Sequence, residues 1–316
     1  MEFVGFRKGS IEKKARTLHI GMEMELNYNS ATSIKAFLED RGLGMRKKFG
    51  QNFMINPSTR QELAGALDAS AGETVWEIGP GLGAMTRILL EKGLAVRAFE
   101  IDLGFARALG EIFAGEQGFE LVEGDALKTW RTQPPAQFLF GNLPYNIGAT
   151  LLADFIESGL RFKRIVVTVQ REVARRMVAG VGGTDYSSFS VLCSSAYSVK
   201  PLMVIKGASF YPKPNVDSQG VLFELREDAT AKNLPALFYP LVRGLFSARR
   251  KTIKNNLAAF FGESEVQNEI RQGSGGALTL ATKALAKSGV DGRARAENLC
   301  VEDFAALAKT IEDIGL

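Results

Sequence analysis

The chain has 316 residues, of which 46% are hydrophobic and 23% charged, so it can bury one large core or two ordinary ones; a disulfide-stapled miniprotein, a collagen-like chain and a wholly disordered chain are excluded. Thirty-nine Lys and Arg against 35 Asp and Glu give a formal charge of +4, which is compatible with a polyanionic partner but does not prove one. With two cysteines and one histidine, the sequence lacks the residues for a zinc cluster, a histidine-rich metal site or a Ser-His-Asp triad, and we expect no metal.

Residues 1–31 are predicted to be a basic, loosely organised extension. The sequence contains neither a secretory signal pattern nor an apolar run long enough to span a membrane. The two cysteines, Cys193 and Cys300, are far apart in the sequence and have no partner at metal-ligand spacing, which is typical of buried thiols in a reducing compartment. We therefore expect a cytoplasmic protein without membrane contact.

From residue 74 onward, short apolar runs alternate with amphipathic segments of helical length, which predicts an α/β fold with a doubly wound, mostly parallel sheet. Two later extended segments are separated by a Pro-containing loop too short for a crossover helix, so we expect them to pair antiparallel at the sheet edge. The predicted strands are 74–78, 95–100, 120–123, 137–141, 164–170, 200–206 and 219–226, and the predicted helices are 84–92, 103–114, 149–158 and 172–179.

Beyond residue 228 the pattern becomes helical. Helices are predicted at 235–261, 264–272 and 301–314, with a Gly-rich break at 273–276. The expected organisation is therefore the extension 1–31, an α/β domain at 32–228 and a smaller all-α domain at 229–316.

A glycine-rich motif, Glu-Ile-Gly-Pro-Gly-Leu-Gly over residues 77–83, follows the first predicted strand and precedes a helix. Such glycines let the backbone approach a ligand closely. Glu100 lies 21 residues after Gly79, at the end of the next strand, where a carboxylate can accept hydrogen bonds from ribose hydroxyls. A nicotinamide dinucleotide and another adenosyl cofactor both fit this pattern.

Two later motifs favour a cofactor other than nicotinamide. Asp125 closes the third strand, where its carboxylate can accept a hydrogen bond from an adenine amine or cap a helix. Asn142-Leu143-Pro144-Tyr145 follows the fourth strand. The Asn142 side-chain oxygen and the Leu143 carbonyl can accept both N–H bonds of an aromatic amine and favour its nucleophilic form, while the Tyr145 ring can stack on an everted base. An ordinary turn with a packed Tyr is the alternative.

From about residue 32 to 314 the sequence resembles the small-subunit ribosomal RNA adenine dimethyltransferases, a KsgA-like family. Besides these motifs, the resemblance includes segments 47–53, 99–102, 124–127, 142–147, 169–174, 210–218 and 246–252. It implies a Rossmann-like methyltransferase fold, S-adenosylmethionine as the cofactor, and small-subunit ribosomal RNA in a pre-ribosomal particle as the partner of a monomeric enzyme.

The resemblance also implies roles for individual residues. The family's cofactor positions fall on Asn52, Met54, Gly79, Glu100, Asp125 and Asn142. Met54 stands where the family usually has Leu, a change that conserves volume. Phe210 is expected to close on the target base opposite Tyr145; a buried core Phe is the alternative.

Two basic clusters are expected to bind RNA, chiefly through its phosphates. Arg249, Arg250 and Lys251 lie in a window without acids, and Lys47 and Lys48 precede the first cofactor segment. A solvated surface is the alternative for both.

The expected reaction is direct displacement: the N6 amine of a flipped adenine attacks the sulfonium methyl group without a general base. Three alternatives stay open at this point. They are a nicotinamide-dependent oxidoreductase, a non-catalytic RNA-binding assembly factor, and a large-subunit methyltransferase of the macrolide-resistance type, against which segment 294–299 argues.

Overall fold

The structure, a computed structural model, describes residues 26–45, 51–143, 147–228, 232–263 and 276–315. They fall into two compact units, one ending at Gly44 and one beginning at Met45. The first unit contains helix α1 (Ala31–Asp40), which Ser30 caps by accepting a 3.2 Å hydrogen bond from the Ser33 amide. Residues 1–25 of the predicted extension lie outside the described part of the chain.

The second unit contains the strands β1 (Phe53–Met54), β2 (Thr74–Ile78), β3 (Ala95–Glu100), β4 (Phe119–Glu123), β5 (Phe138–Asn142), β6 (Arg164–Gln170), β7 (Tyr197–Ile205), β8 (Phe210–Tyr211) and β9 (Ser218–Leu225). Seven of them form one sheet in the order β4-β3-β2-β5-β6-β9-β7. Neighbours from β4 through β6 are parallel, whereas β9 pairs antiparallel with both β6 and β7. This arrangement confirms the predicted doubly wound fold with an antiparallel edge.

Helices cover both faces of this sheet because successive strand residues point to opposite sides. In β2, Val75 packs into one apolar cluster and Trp76 into the other. The helices associated with the sheet are α2 (Pro57–Ala66), α3 (Ala84–Glu91), α4 (Leu103–Ile112), α5 (Ala126–Thr129), α6 (Gly148–Glu157), α7 (Arg171–Val178) and α8 (Ser188–Ala196). The parallel strands all end at the same edge of the sheet, where the site lies.

The C-terminal helices are α9 (Phe238–Leu245), α10 (Ile253–Glu263), α11 (Ala277–Ser288) and α12 (Val301–Asp313), which share a separate apolar cluster. The single helix predicted at 235–261 was wrong, because the chain turns between α9 and α10. The buried Asn256 amide donates to the carbonyls of Leu245 (2.8 Å) and Ala248 (3.1 Å), which supplies partners for the end of α9.

The C-terminal cluster also includes Tyr186 and Val191, which precede the predicted domain boundary near residue 229. That boundary stays a prediction, and the helix expected at 264–272 lies outside the described residues. Within the ranges that the structure covers, no helix is both long and apolar enough to span a bilayer.

Candidate active site

The glycine loop after β2 lies at the carboxyl edge of the parallel strands. Gly79, Gly81 and Gly83 all have positive φ, at 69°, 60° and 84°. Side chains rarely tolerate this conformation, and a Cβ on Gly83 would lie 2.3 Å from the Phe113 ring. The loop therefore needs glycine for its turn and for close packing, and it leads directly into the first turn of α3.

Glu100 ends β3 beside this loop and is 5% exposed. One carboxylate oxygen accepts from the Gly81 amide at 3.3 Å and the other from the Asp102 amide at 2.8 Å. Burial raises the pKa of Glu100 to about 7, although these backbone hydrogen bonds oppose the shift. Among the described residues no cation pairs with Glu100, so the carboxylate retains lone pairs for hydroxyl donors of a ligand.

Glu77 is a second buried acid near this loop and is 2% exposed. It accepts a 2.6 Å hydrogen bond from the Thr86 hydroxyl. Burial raises the pKa of Glu77 to about 7, against the effect of that hydrogen bond, and the nearby Glu100 adds to the rise. Two neighbouring buried acids with raised pKa are typical of a functional site.

Asp125 follows β4 and caps the short helix α5, with Oδ1 accepting from the Leu127 amide at 3.1 Å. The sequence left open whether Asp125 is a helix cap or a ligand for an adenine amine, and the structure shows the helix cap. Gly124, its neighbour, donates to the Glu100 carbonyl at 2.8 Å, which fixes Asp125 beside the end of β3. The cap uses Asp125 Oδ1, so a cap and a ligand role for this carboxylate are compatible.

Asn142 is the last residue of β5 and is half-buried. Its Nδ2 donates to the Asn52 carbonyl at 3.0 Å, and its Oδ1 accepts a short hydrogen bond from the Thr168 hydroxyl. A Cβ on Gly79 would lie 3.9 Å from the Asn142 carbonyl oxygen, so Asn142 borders the glycine loop. The structure therefore brings Asn52, Gly79, Glu100 and Asn142 into one recess.

Leu143 leaves β5 with its side chain 2% exposed. Its amide donates to the Thr168 carbonyl at 3.0 Å, which extends the β5–β6 hydrogen bonding by one residue. A Cβ on Gly141 or Gly148 would lie 2.5 Å or 2.9 Å from the Leu143 side chain, so small residues surround it. Tyr145, the predicted stacking residue, lies outside the described residues.

The segment carrying Asn52 and Met54 is held by a two-stranded ribbon of β1 and β8, in which Met54 is opposite Phe210. Arg60 on α2 supports this ribbon by donating to the Met54 carbonyl at 2.5 Å. Phe210 is 4% exposed and packs in an apolar cluster with Met54. This is the core position that the sequence left open as the alternative, and stacking on a base stays a prediction.

The basic residues of the C-terminal region are not equivalent. Arg249 forms a 3.1 Å ion pair with Glu297 and donates to the Thr184 carbonyl at 3.2 Å. Arg250 and Lys251 are exposed, and no acid within the described ranges pairs with either. All three lie in the turn between α9 and α10, not on a helix as predicted; Lys47 and Lys48 lie outside the described residues.

Sequence reasoning missed two groups that the structure places at the site. Thr168 reads as one β-branched residue among several in a buried strand, and only the register of β5 against β6 places it opposite Asn142. Arg60 reads as an ordinary surface arginine, yet it is 5% exposed. No local pattern in the sequence signals either role.

Comparison with known proteins decides the family. Residues 42–313 match the family model described as ribosomal RNA adenine dimethylase. The chain belongs to the ribosomal RNA adenine dimethylase family. Two curated relatives named ribosomal RNA small subunit methyltransferase A are 44% identical in Treponema denticola (90% of this chain, 96% of the relative) and 38% identical in Borreliella burgdorferi (92% and 97%).

Solved structures agree with this family assignment. A dimethyladenosine transferase from Plasmodium falciparum has a TM-score of 0.70 at 26% identity, covering 83% of this chain and 98% of its own. The 23S rRNA methyltransferase ErmE has a TM-score of 0.56 at 22% identity, covering 81% and 98%, and shows the fold alone. The expected resemblance is confirmed. Membership of a methyltransferase family excludes the alternative of a nicotinamide-dependent oxidoreductase.

As a member of this methyltransferase family, the protein uses S-adenosylmethionine. The donor set fits that cofactor: Glu100 is a buried carboxylate with hydrogen-bonding capacity for vicinal hydroxyls, and the glycine loop presents backbone without side chains.

Proposed function

We propose that this protein transfers methyl groups from S-adenosylmethionine to the N6 amine of two adjacent adenosines near the 3′ end of small-subunit ribosomal RNA during ribosome biogenesis. The observation that carries the proposal is the Asn142 amide, held between Asn52 and Thr168 at the edge of the glycine-loop recess. We further propose that the enzyme is a cytoplasmic monomer that acts on a pre-ribosomal particle.

In this proposal the cofactor is held by residues on three strand ends and on β1. Glu100 accepts hydrogen bonds from the ribose hydroxyls, Asp125 accepts one from the adenine amine, and the backbone at Gly79 contacts the ligand closely. Asn52 and Met54 form the wall contributed by the β1–β8 ribbon. When bound, the cofactor supplies an electrophilic methyl group on a sulfonium.

Asn142 and Leu143 prepare the nucleophile. Conjugation with the ring makes an adenine amine a poor nucleophile, and two fixed acceptors for its N–H bonds favour the pyramidal form with an available lone pair. Asn142 Oδ1 and the Leu143 carbonyl are those acceptors. No general base is required, because the nitrogen becomes acidic as it gains positive charge and releases its proton to water.

The RNA is held by exposed cations and by aromatic rings. Arg250 and Lys251 contact phosphates from the turn between α9 and α10, together with Lys47 and Lys48 from the segment before β1. Tyr145 and Phe210 hold the everted base. For Phe210, this role requires a face of its buried ring to contact the base.

The proposal is tested by incubating the purified protein with methyl-labelled S-adenosylmethionine and, in separate reactions, with small or large ribosomal subunits that lack adenine methylation. Digestion and mass spectrometry of the nucleosides should reveal N6,N6-dimethyladenosine at two adjacent positions near the 3′ end of the RNA. Methylation of large-subunit RNA alone, or label on another atom, would contradict the proposal.

A further inference from the structure

One hydroxyl in the middle of the sheet has no evident packing purpose. Thr168 is 1% exposed and lies in β6, whose sequence Arg-Ile-Val-Val-Thr-Val-Gln is otherwise apolar at its centre. Val167 and Val169 on either side are buried as well. Valine would fill this space without a polar atom, and a buried hydroxyl is costly unless it makes a hydrogen bond.

The hydrogen-bond partner of this hydroxyl is the side chain of Asn142. Asn142 and Thr168 are opposite each other in the parallel pairing of β5 with β6. The Thr168 hydroxyl donates to Asn142 Oδ1, and the Thr168 carbonyl accepts from the Leu143 amide at 3.0 Å. One residue thus contacts both members of the Asn142-Leu143 pair.

The direction of these bonds fixes the orientation of the amide. The Asn52 carbonyl can only accept, so the group of Asn142 that faces it at 3.0 Å must be the Nδ2 amine. The oxygen then faces the Thr168 hydroxyl, which must donate because an amide oxygen has no proton. A flipped amide would place two acceptors against each other at Asn52.

This arrangement leaves Asn142 Oδ1 with capacity for one more donor. A carbonyl oxygen has two lone pairs, and the Thr168 hydroxyl occupies one of them. With Nδ2 held on one side and Oδ1 on the other, rotation of the amide costs two hydrogen bonds. The remaining lone pair therefore has a fixed direction before any substrate arrives, which is the condition for efficient positioning.

We propose that Thr168 is a positioning residue for methyl transfer: its hydroxyl holds Asn142 Oδ1 in the orientation that accepts an N–H bond of the target amine. The inference rests on the proposed function, in which Asn142 accepts that bond. Thr168 itself does not contact substrate or cofactor in this account. It acts through Asn142, so its removal should affect the rate of the chemical step more than the binding of either substrate.

The test compares Thr168→Val, which keeps the shape and removes the hydroxyl, with Thr168→Ser, which keeps the hydroxyl. Single-turnover methylation of small ribosomal subunits is measured with the full-length protein, together with cofactor affinity by calorimetry and the thermal unfolding midpoint. Thr310→Val is the matched control, since Thr310 is also buried but lies in α12.

We expect Thr168→Val to lower the single-turnover rate constant by about tenfold to a hundredfold, while the RNA concentration that gives half of the maximal rate and the cofactor affinity stay close to wild type. Thr168→Ser should recover most of the rate, and Thr310→Val should keep all of it. A Val variant that folds and turns over like wild type would overturn the inference, as would a Ser variant as slow as Val. Absence of methylation by the wild type would instead contradict the proposed function.

If Thr168→Val unfolds, Thr168→Ser is compared with Thr168→Ala, because Ser keeps the hydroxyl and Ala removes it. The rate of a Thr168→Ala variant then supplies the comparison without the hydroxyl. Loss of rate in Ala with recovery in Ser supports the inference, and equal rates in Ala and Ser overturn it.

Discussion

The recess at the sheet edge and the basic turn between α9 and α10 are built in different ways. In the recess, each polar side chain is buried or half-buried and has fixed partners, as with Glu100 and Asn142. In the turn, Arg250 and Lys251 extend into solvent, and only Arg249 is held by an ion pair. The fixed side chains of the recess suit a reaction that requires positioning to within tenths of an ångström. The exposed cations of the turn suit contacts to the phosphates of a polyanion, which do not require such precision.

The largest effect is expected for Asn142→Ala. Loss of an acceptor fixed at the reacting atom should lower methyl transfer by about a hundredfold or more. RNA affinity should remain close to wild type, since the basic turn is unaffected. Single-turnover kinetics and a filter-binding assay on the same preparation measure both quantities, and normal turnover by this variant would remove Asn142 from the mechanism.

The next largest effect is expected for Glu100→Ala. The variant loses hydrogen bonds to the ribose hydroxyls, worth about 1.5–3 kcal/mol each when charge-assisted, so cofactor affinity should fall at least tenfold or so. Calorimetry with S-adenosylmethionine measures this loss. An unchanged affinity would place Glu100 outside the cofactor site.

Glu100 should also make cofactor binding depend on pH. Because its pKa is raised to about 7 and the ribose hydroxyls donate to the ionised form, affinity should increase as pH rises from 6 to 8. Glu100→Gln has no proton to lose and serves as the reference that cancels titration of the cofactor itself. Parallel pH profiles for wild type and Glu100→Gln would contradict this assignment.

Glu77 allows the burial of the recess to be tested without any ligand. Its pKa is raised to about 7, so its contribution to stability is fully present below about pH 4.5 and is lost as pH rises to 7. Relative to wild type, Glu77→Gln should gain roughly 2–3 kcal/mol in unfolding free energy across that window. Urea denaturation at both ends of the window measures the gain; a pH-independent difference would argue against a buried, ionising Glu77.

The smallest effects are expected in the basic turn, where they should differ among its members. Neutralising Arg250 and Lys251 together should reduce the slope of log affinity for RNA against log salt by about 1.5. Arg249→Ala is the matched control and should change the slope less, since Glu297 already pairs with Arg249. Equal effects of all three residues would show that the ion pair opens on binding.

The same contrast explains what the sequence could predict. Strands β2, β3, β5 and β6 are largely buried and rich in apolar residues, and the acids and amides at the ends of parallel strands share one edge of the sheet. Glu100, Asp125 and Asn142 could therefore be predicted to lie at one edge of the sheet. Their surroundings could not, because the Thr168 contact depends on the register of two strands.

Other elements have no hydrophobic periodicity that could be recognised in the sequence. Helix α8 is buried on nearly all sides and shows no amphipathic stripe, and the two-residue strands β1 and β8 are too short for any alternation. The break between α9 and α10 depends on the Asn256 side chain, which lies beyond it in the sequence. These elements are specified by tertiary contacts, not by local pattern.

The central claim is that Asn142 Oδ1 and the Leu143 carbonyl bind the target amine. A crystal structure of the enzyme with S-adenosylhomocysteine and an adenosine nucleotide measures this most directly. The account predicts that N6 lies at about 2.7–3.2 Å from both oxygens, with the Thr168 hydroxyl still on Asn142. An adenine bound with N6 directed away from these two acceptors would contradict it.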